Sequence, residues 1–422
     1  MPAPLEQFAQ PLAGLKVLDL TQFLSGPYAT QILGDLGAEV IKIEAPEGDL
    51  TRHLPPYFVE GDSAYYLSVN RNKHSIAIDL KTTKGQALVR DLAIQCDVIV
   101  ENFRPGVTEK LGLSYDDLSK DAPNLVWCSI SGFGQTGPYR DRPAYDMIIQ
   151  AISGAMSLTG EVGGNAVRMG VPIGDIAAGM YGVIGILATV LESKSTGKGR
   201  RIDVSMLDCQ IAMLSYQAAY HLHSGDIPGL QGRGHDSIPT YRVFPCAEGT
   251  EIAVTANTER MWAGLCACLG EPDLLTDPRF VDLGDRNKNR EALWQLLERG
   301  FSTQPASHWA KVFVENRIPA AEVNTLQKSL SDPHVIARGM VEDIQSNDGH
   351  SARVAGNPIK FSQDAAAKHH RYPPKLGEDG PALLSGLLGL SAADIKALIN
   401  DGVICTASPN STKPPKGTQN DK

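Results

Sequence analysis

The chain has 422 residues, 42% of them hydrophobic, and a formal net charge of −9 at pH 7. This length suggests two or three domains, and the hydrophobic content is typical of a globular protein and too high for a disordered one. The negative charge argues against nucleic acid as a partner, although it is compatible with a local basic pocket for a phosphorylated ligand.

The cysteines and the N-terminus both indicate the cytoplasm. The seven cysteines are scattered and include no CxxC pair, so we expect reduced thiols and no metal site. The start of the chain carries no charged leader, and no uninterrupted apolar stretch is long enough for a membrane span. We therefore expect a cytoplasmic protein without a membrane partner.

From residue 15 to about residue 130, strand patterns alternate with helical patterns. Helices are predicted over residues 83–94 and after Gly26-Pro27, because proline suits the first turn of a helix. Short apolar runs predict strands at residues 15–20, 39–43, 74–79, 97–101 and 124–130. This alternation is typical of an α/β fold with a mostly parallel sheet covered by helices on both faces.

The rest of the chain predicts a helical region, a smaller unit and a return to the first domain. Residues 145–223 are mainly helical with a short strand near Arg201, and residues 224–239 are a linker rich in glycine and proline. A hairpin around Glu248-Gly249 follows, with helices predicted at 259–269, 289–301 and 307–315. We predict a large domain over residues 1–223 and 340–405, a small domain with its linkers over 224–339, and a disordered tail over 406–422.

Asp175 is the first candidate for a chemical role. The run Gly170-Val-Pro-Ile-Gly-Asp175 leads directly into a helical stretch, which places Asp175 at or beside a helix N-terminus. An aspartate in this position is commonly a cap for free backbone N–H groups. The helix can also keep the carboxylate ionised, and a carboxylate flanked by glycine can attack an electrophilic carbonyl. From these residues alone, the cap is the favoured interpretation.

Two further patterns bear on a ligand site. The loop at residues 132–137 matches GxGxxG, but Pro138 follows at once, so no helix can start there and a dinucleotide cofactor is not expected. Basic residues near strand ends can hold phosphates or can be solvated surface charges. Their spacing alone favours solvated surface charges. These basic residues are Arg71, Lys73, Lys81, Arg104 and Lys110.

Several motifs in combination make the chain similar to a known enzyme family. They span residue 12 to about residue 377 and include Gly26-Pro27, Asn72-Lys-His-Ser75, Glu101-Asn-Phe-Arg-Pro-Gly106, Ser131-Gly-Phe-Gly-Gln-Thr-Gly-Pro138, Tyr145-Asp146 and Gly197-Lys-Gly199. The chain resembles the family III coenzyme A transferases of the CaiB/BaiF type. Within that family, its motifs most resemble those of the succinyl-CoA:glutarate branch.

The resemblance implies a catalytic residue and a set of CoA contacts. Asp175 matches the family nucleophile, which reverses the preference for a cap. Lys110 stands where the family has an arginine. The matching CoA-contact and active-site positions are Ser25, Arg52, Ile78, Asp79, Leu80, Lys81, Asn102, Phe103, Arg104, Lys110, Tyr145 and Asp146.

The resemblance also implies the architecture and the reaction. The family fold is an interlocked homodimer, and each chain has a large Rossmann-like domain and a smaller α+β domain. CoA is expected to pass from an acyl-CoA, with succinyl-CoA favoured, to a small dicarboxylate through an aspartyl anhydride and an aspartyl-CoA thioester. CoA and acyl-CoA are then substrates, and no tightly bound cofactor is expected. Arg168, Arg233 and His235 are candidates by position for binding a distal carboxylate.

Other functions stay open at this stage. Leu24 and Ala45 stand where the oxalate-using members have glutamine and arginine, which argues against formyl-CoA:oxalate exchange. A carnitine-like or aromatic acceptor is an alternative. An α-methylacyl-CoA racemase is another, although residues 132–134 lack the histidine that would act as its base. A non-enzymatic acyl-CoA-binding protein would use Asp175 only as a cap.

Overall fold

The computed structural model of the chain describes residues 10–361 and 370–406. The predicted disordered tail lies outside the described residues from residue 407 onward. The described strands are β1 (Lys16–Asp19), β2 (Glu39–Glu44), β3 (Phe58–Val59), β4 (Asp62–Ser63), β5 (Lys73–Ile78), β6 (Val98–Glu101), β7 (Val126–Ser131), β8 (Arg201–Ser205), β9 (Tyr241–Pro245), β10 (Glu251–Thr255), β11 (Ala320–Glu322), β12 (Val341–Gln345), β13 (Ser351–Ala355) and β14 (Ile404–Cys405).

Helices connect most of these strands. Short 3₁₀ helices lie at Leu50–His53, Ala247–Gly249 and Pro272–Leu275. The α-helices of the described residues are α1 (Ser25–Asp35), α2 (Ala64–Val69), α3 (Thr83–Ala93), α4 (Val107–Lys110), α5 (Tyr115–Asp121), α6 (Asp146–Ile152), α7 (Ala155–Leu158), α8 (Ile173–Thr196), α9 (Met206–Met213), α10 (Tyr216–Ser224), α11 (Glu259–Leu269), α12 (Leu283–Lys288), α13 (Arg290–Phe301), α14 (Ala306–Glu315), α15 (Leu326–Leu330), α16 (Pro333–Ala337), α17 (Gly380–Leu388) and α18 (Ala392–Asn400).

The main sheet has the strand order β14-β5-β2-β1-β6-β7-β8. Every neighbouring pair is parallel except β14 and β5, which are antiparallel. Counted along the chain, the six parallel strands follow the order 3-2-1-4-5-6 of dinucleotide-binding folds, whose ligands bind at the carboxyl ends where the order reverses. Here that point lies between β1 and β6. The five strands predicted for the first 130 residues are all present, with ends shifted by at most two residues.

The sheet is covered on both faces because its strands are apolar on both sides. Val17 and Leu18 are adjacent in β1, point to opposite faces, and enter different hydrophobic clusters. One cluster packs against α3, α5, α17 and α18, and the other against α1, α8 and α9. This arrangement confirms the predicted mixed α/β fold with a mainly parallel sheet.

A second compact unit comprises residues 154–168 and 216–335. Strands β9, β10 and β11 form its antiparallel sheet, which includes the predicted hairpin. Phe244, Phe301 and Trp309 lie in its own core. Its boundaries differ from those predicted, because backbone N–H groups of Gln231 and Gly232 bond to carbonyls within residues 154–168 at 3.0 and 2.9 Å. The sequence placed that short segment in the large domain.

Helix α8 is the longest described helix and is more apolar than the sequence analysis expected. By length and composition it could cross a membrane, although less than half of its most apolar stretch is buried in the chain. Core helices of globular proteins share these properties, and α8 packs against α1 and the main sheet. Ile184 and Leu191 are among the apolar side chains that it leaves exposed.

Candidate active site

Most of the predicted site residues follow the carboxyl ends of the parallel strands. Ser25 is the first residue of α1 after β1, residues 102–104 follow β6, and Tyr145 and Asp146 end the loop after β7. Residues 78–81 lie at the end of β5, which is separated from β6 by β2 and β1. The first three groups therefore surround the point where the strand order reverses, which is the expected ligand crevice.

Asp175 reaches this crevice because α1 and α8 approach each other closely. Asp175 is in the first turn of α8, and its carboxyl accepts a hydrogen bond from the side chain of Ser25. The approach depends on a glycine, since a Cβ added to Gly179 would lie 2.7 Å from the backbone oxygen of Ser25. The first turns of two helices, each with a partial positive charge, thus meet at one carboxyl group.

The geometry of Asp175 differs from that of a helix cap. The N-cap residue of α8 is Pro172, which makes no side-chain cap bond, and Asp175 is the third residue of the helix. The side-chain hydrogen bond that its carboxyl accepts comes from Ser25, which belongs to another helix. The cap interpretation therefore has no support in the local structure.

The electrostatic surroundings of Asp175 are unusual for a carboxyl group. Burial raises the pKa of Asp175 to about 7, together with the nearby negative charge of Asp146, while the Ser25 hydrogen bond opposes the rise. The sequence analysis expected the helix N-terminus to keep this group ionised. Burial and the like charge outweigh that influence, and a carboxyl perturbed this strongly in a crevice is characteristic of a functional site.

Asp146 is fixed beside Asp175 by two N–H donors. Its Oδ1 accepts a hydrogen bond from the backbone N–H of Gly174 at 2.8 Å, and its Oδ2 accepts one from Gln150 Nε2 at 2.7 Å. Gly174 immediately precedes Asp175, so the two carboxyl groups are held close together. The prediction that Asp146 lies next to Asp175 agrees with this geometry.

The loop between β1 and α1 is anchored from the neighbouring strand. Asn102 accepts a hydrogen bond from the backbone N–H of Gln22 at 2.9 Å and donates one to its carbonyl at 2.8 Å. The next residue, Phe23, has a φ of 62° and a ring edge-on to Tyr145 with centroids 6.0 Å apart. A bulky residue in the left-handed region is strained, and such strain concentrates at functional sites.

Buried charged side chains also anchor the loop between β1 and α1. Asp19 accepts hydrogen bonds from Thr21 and forms an ion pair with Lys73 at 3.0 Å. Lys42 donates to the carbonyl of Thr21 at 2.7 Å and pairs with Asp49. Both lysine side chains are fully buried, so the interpretation of Lys73 as a surface charge or a phosphate ligand is wrong.

A family model for CoA-transferase family III matches residues 12–380. The chain belongs to CoA-transferase family III. The human succinyl-CoA:glutarate CoA-transferase is 38% identical to it, over 94% of this chain and 90% of the relative. The acetyl-CoA:oxalate CoA-transferase of Acetobacter aceti is 39% identical, over 88% and 95%. These matches confirm the predicted family and the prediction that the chain is an enzyme.

A solved structure agrees with the assignment. The crystal structure of a CaiB/BaiF family protein from Brucella suis has a TM-score of 0.81 and is 38% identical, and the match covers 90% of this chain and 100% of that chain. The two curated relatives differ in acceptor acid at nearly equal identity. Sequence identity therefore assigns the class of CoA-transferase but not the acid.

The structure separates the basic residues of this CoA-transferase into two groups. Arg71 is buried and forms a bidentate ion pair with Asp35 at 2.9 and 2.6 Å. Lys81, Arg104 and Lys110 are exposed, and within residues 10–361 and 370–406 none of them forms an ion pair. Among the predicted basic positions, these three are therefore the cations available to a ligand.

Arg52 belongs to the buried group, although the family resemblance placed it among the ligand contacts. Its guanidinium makes a bidentate ion pair with Glu44, with both distances 2.7 Å, and also donates to Tyr66 Oη and the carbonyl of Pro374. Burial alone would raise the pKa of Glu44, but the Arg52 charge lowers it to about 2. The guanidinium of Arg52 is therefore paired with Glu44 inside the protein.

Residues 78–81 contribute to the carboxyl edge in different ways. The side chain of Ile78 is fully buried in the core, and that of Leu80 packs against it. Asp79 accepts a hydrogen bond from the backbone N–H of Lys81 at 2.9 Å. The side chain of Lys81 is exposed. Phe103, at the end of β6, also packs partly against the core.

Tyr65 is a site residue that sequence reasoning missed. Burial raises the pKa of its hydroxyl to about 12, and the negative charges of Asp175, Asp49 and Asp146 add to the rise. The negative charges of both carboxyl groups therefore act on the Tyr65 hydroxyl. A tyrosine at the start of the short helix α2 carries no periodic or spacing signal that would have identified it.

The candidates for binding a distal carboxylate lie in the second compact unit. Arg233 pairs with Glu161 at 3.3 Å and with Glu251 at 2.6 Å. His235 stacks between the rings of Tyr216 and Tyr241, with centroids 5.5 and 5.6 Å away. Arg168 is part of the same unit. Their role in binding an acid stays a prediction.

Proposed function

We propose that this CoA-transferase moves CoA from succinyl-CoA to a small dicarboxylic acid, with Asp175 as the covalent nucleophile. The observation that carries the proposal is the Asp175 carboxyl in the crevice, bonded to Ser25 and raised in pKa beside Asp146. A carboxylate with a raised pKa is less stabilised and therefore more nucleophilic once it has lost its proton.

The proposed reaction exchanges one thioester for another in four steps. An Asp175 oxygen attacks the thioester carbonyl, the C–S bond breaks, and CoA leaves as a thiolate with formation of an aspartyl anhydride. The thiolate attacks the aspartyl carbonyl, which releases succinate and forms an aspartyl-CoA thioester. The acceptor carboxylate attacks this thioester and releases the thiolate again. The thiolate then attacks the acceptor carbonyl, so that a new acyl-CoA forms and Asp175 is freed.

No net proton or electron is transferred in this sequence, and the bond energy of one thioester is conserved in the next. The reaction therefore needs no ATP, and we propose that it uses no tightly bound cofactor. In the first turn of α8, the backbone N–H groups of Ile173 and Gly174 already donate to Val171 and Asp146, so we propose that the partial positive charge of the helix N-terminus stabilises the oxyanions that form on the aspartyl carbonyl. We propose the Tyr65 hydroxyl, on which the charge of Asp175 acts, as a further donor to these oxyanions.

The exposed cations at the carboxyl edge are suited to the phosphates of CoA. Lys81 follows β5, whereas Arg104 and Lys110 follow β6. β5 and β6 are three strand spacings apart, about 14 Å, so these cations arise from separate positions along the edge of the sheet. We propose that Lys81 and the pair Arg104 and Lys110 hold separate phosphate groups of one extended CoA molecule, while Asn102 and Phe103 line its path.

Replacing either Lys81 or Arg104 with methionine is expected to raise the KM for succinyl-CoA about tenfold and leave kcat nearly unchanged. Loss of a charge-assisted hydrogen bond to a phosphate has this magnitude, and it weakens ground and transition states equally. Initial rates over a range of succinyl-CoA concentrations measure the effect. Lys84→Met is the matched control, because Lys84 is equally exposed but is paired with Asp401 at 2.7 Å. Equal KM values for Lys81→Met and Lys84→Met would contradict the assignment.

We further propose that two copies of the chain associate and act in the cytoplasm. Helices α6 and α8 expose large apolar side chains, including Ile148, Ile184 and Leu191. Large apolar side chains exposed on two helices are suited to an interface, and a second copy of this chain is the partner that the family resemblance implies. All seven cysteines are free thiols, in keeping with a reducing compartment.

The acceptor is tested by incubating the purified protein with succinyl-CoA and separate acids, namely glutarate, mesaconate, oxalate, carnitine and benzoate. We expect new acyl-CoA esters from glutarate or mesaconate rather than from oxalate, with the total thioester conserved, as measured by mass spectrometry of the CoA pool. Transfer to carnitine or benzoate alone would overturn the acceptor class. Exchange of the α-proton of a 2-methylacyl-CoA in heavy water, without transfer to any acid, would overturn the reaction type in favour of racemisation.

A further inference from the structure

Helix α6 contributes a second polar side chain next to the catalytic centre, that of Gln150. Gln150 lies four residues after Asp146, so both side chains project from the same face of the helix. Only 1% of Gln150 is exposed, and a polar side chain buried this completely must find its hydrogen-bond partners inside the protein. No sequence motif includes it.

Both polar atoms of the Gln150 amide have partners that fix its orientation. Its Nε2 donates to Asp146 Oδ2 at 2.7 Å, and its Oε1 accepts from the backbone N–H of Met169 at 2.8 Å. If the amide were flipped, its oxygen would face the Asp146 carboxylate and its amino group would face the Met169 N–H. Both contacts would be unfavourable, so only one orientation is compatible with the structure. The amide is therefore held rigidly.

These bonds continue directly to the nucleophile. Asp146 Oδ1 accepts from the backbone N–H of Gly174, the residue before Asp175. The hydrogen bonds thus link Met169, Gln150, Asp146 and Gly174. They connect both ends of segment 169–174, which leads into α8, to side chains of helix α6. A side-chain relay of this kind holds the first turn of α8 in place, and with it the Asp175 carboxyl.

We infer that Gln150 is a positioning residue for CoA transfer, which orients the Asp146 carboxylate and fixes the backbone that presents Asp175. The inference rests on the proposed role of Asp175 as the nucleophile. Gln150 itself does not touch the reacting atoms, since Asp146 and Gly174 lie between them.

The inference has a consequence for the pH dependence of the reaction. The groups that face Asp175 are Asp146 on α6, Tyr65 on α2 and Ser25 on α1. The negative charge of Asp146 helps to raise the pKa of Asp175. Without the Gln150 donor, the Asp146 side chain is no longer held in its orientation and can turn away from Asp175, so Asp175 loses its proton at a lower pH.

The test compares the pH profiles of kcat/KM for the wild-type protein, Gln150→Met and Gln150→Glu. In Gln150→Met we expect kcat about tenfold lower, the usual effect of losing a hydrogen bond to a charged group, and an acid limb shifted to lower pH. Gln150→Glu keeps the acceptor for Met169 but adds a carboxyl beside Asp146, so we expect its acid limb at higher pH. The two variants thus move the profile in opposite directions, which loss of stability alone would not do.

Gln210→Met is the matched control. Gln210 is also buried, lies on α9, and accepts a hydrogen bond from Ser153 Oγ at 2.9 Å. We expect it to lower the thermal unfolding midpoint as Gln150→Met does, but to leave the acid limb at the wild-type pH. An acid limb that stays at the wild-type pH in both Gln150 variants, or moves equally in Gln210→Met, overturns the inference.

The same experiment distinguishes failure of the inference from failure of the proposed function. Wild-type protein that transfers no CoA and forms no adduct on Asp175 would refute the proposed function. Wild-type protein that does both, with Gln150 variants that keep its pH profile, would refute only the role of Gln150.

Discussion

Replacing Asp175 with asparagine is expected to lower CoA transfer by at least about 10³-fold, the scale seen when a covalent nucleophile is removed. Asparagine keeps the size of the side chain but cannot form an anhydride with the acyl group. In the wild-type protein, kcat/KM should rise with pH through an acid limb near pH 7, because the raised pKa of Asp175 leaves the free enzyme active only above that value.

Trapping with hydroxylamine during turnover of succinyl-CoA identifies the residue directly. We expect a hydroxamate on Asp175 in the wild-type protein, located by mass spectrometry of its peptides, and none in Asp175→Asn. Asp394→Asn is the control, since Asp394 lies in the first turn of α18 and forms a capping box with Ser391. A hydroxamate that persists in Asp175→Asn would contradict the assignment.

Stability measurements separate the nucleophile from a cap. The folded protein raises the pKa of Asp175 from 3.8 to about 7, so the ionised form is disfavoured in the folded state and the group lowers the free energy of unfolding progressively from pH 4 to pH 7. Asp175→Asn removes this penalty and should stabilise the protein at pH 8, by about 1–4 kcal/mol. A helix cap would give the opposite sign, as we expect for Asp394→Asn, which weakens the capping box of α18 and should lower the free energy of unfolding.

The second large effect is expected from Arg52→Met. The variant leaves the Glu44 carboxylate buried, with Ser75 and a backbone N–H as its remaining donors. Removal of one partner from a buried ion pair typically costs about 3–5 kcal/mol. Chemical denaturation at pH 7.5 measures the loss, and Arg90→Met is the control, because Arg90 forms an exposed pair with Asp121 that should contribute at most about 1 kcal/mol.

The pH dependence of that loss identifies its cause. In the wild-type protein the pKa of Glu44 is lowered to about 2, so its contribution is present at neutral pH and disappears as the pH falls from about 4.5 toward 2. Without Arg52, burial raises the pKa of Glu44 instead, and the carboxyl takes up a proton. The destabilisation should therefore shrink between pH 7.5 and pH 5. A variant of wild-type stability with a raised KM for succinyl-CoA would instead support the ligand contact that the family resemblance implied.

The sequence by itself determined the architecture of the large domain and the class of the enzyme. Strand and helix patterns depend on local apolar periodicity, which is why the strands of the first 130 residues and the hairpin of the second unit were placed correctly. The motifs around Asp175 indicated the family because several of them occur together in one chain. The position of Asp175 in the first turn of a helix also followed from local signals.

Only the tertiary structure decided which charged residues face a ligand. The sequence gives no signal that distinguishes the basic residues that are buried from those that are exposed. The buried ones, which are paired with carboxylates, are Arg52, Arg71 and Lys73. The exposed ones include Lys81 and Arg104. The rise in the Asp175 pKa likewise depends on burial and on Asp146, which is 29 residues away, and the role of Gln150 depends on Met169. Burial and hydrogen-bond partners come from segments that are distant in the chain and meet only in the fold, so no local pattern can encode them.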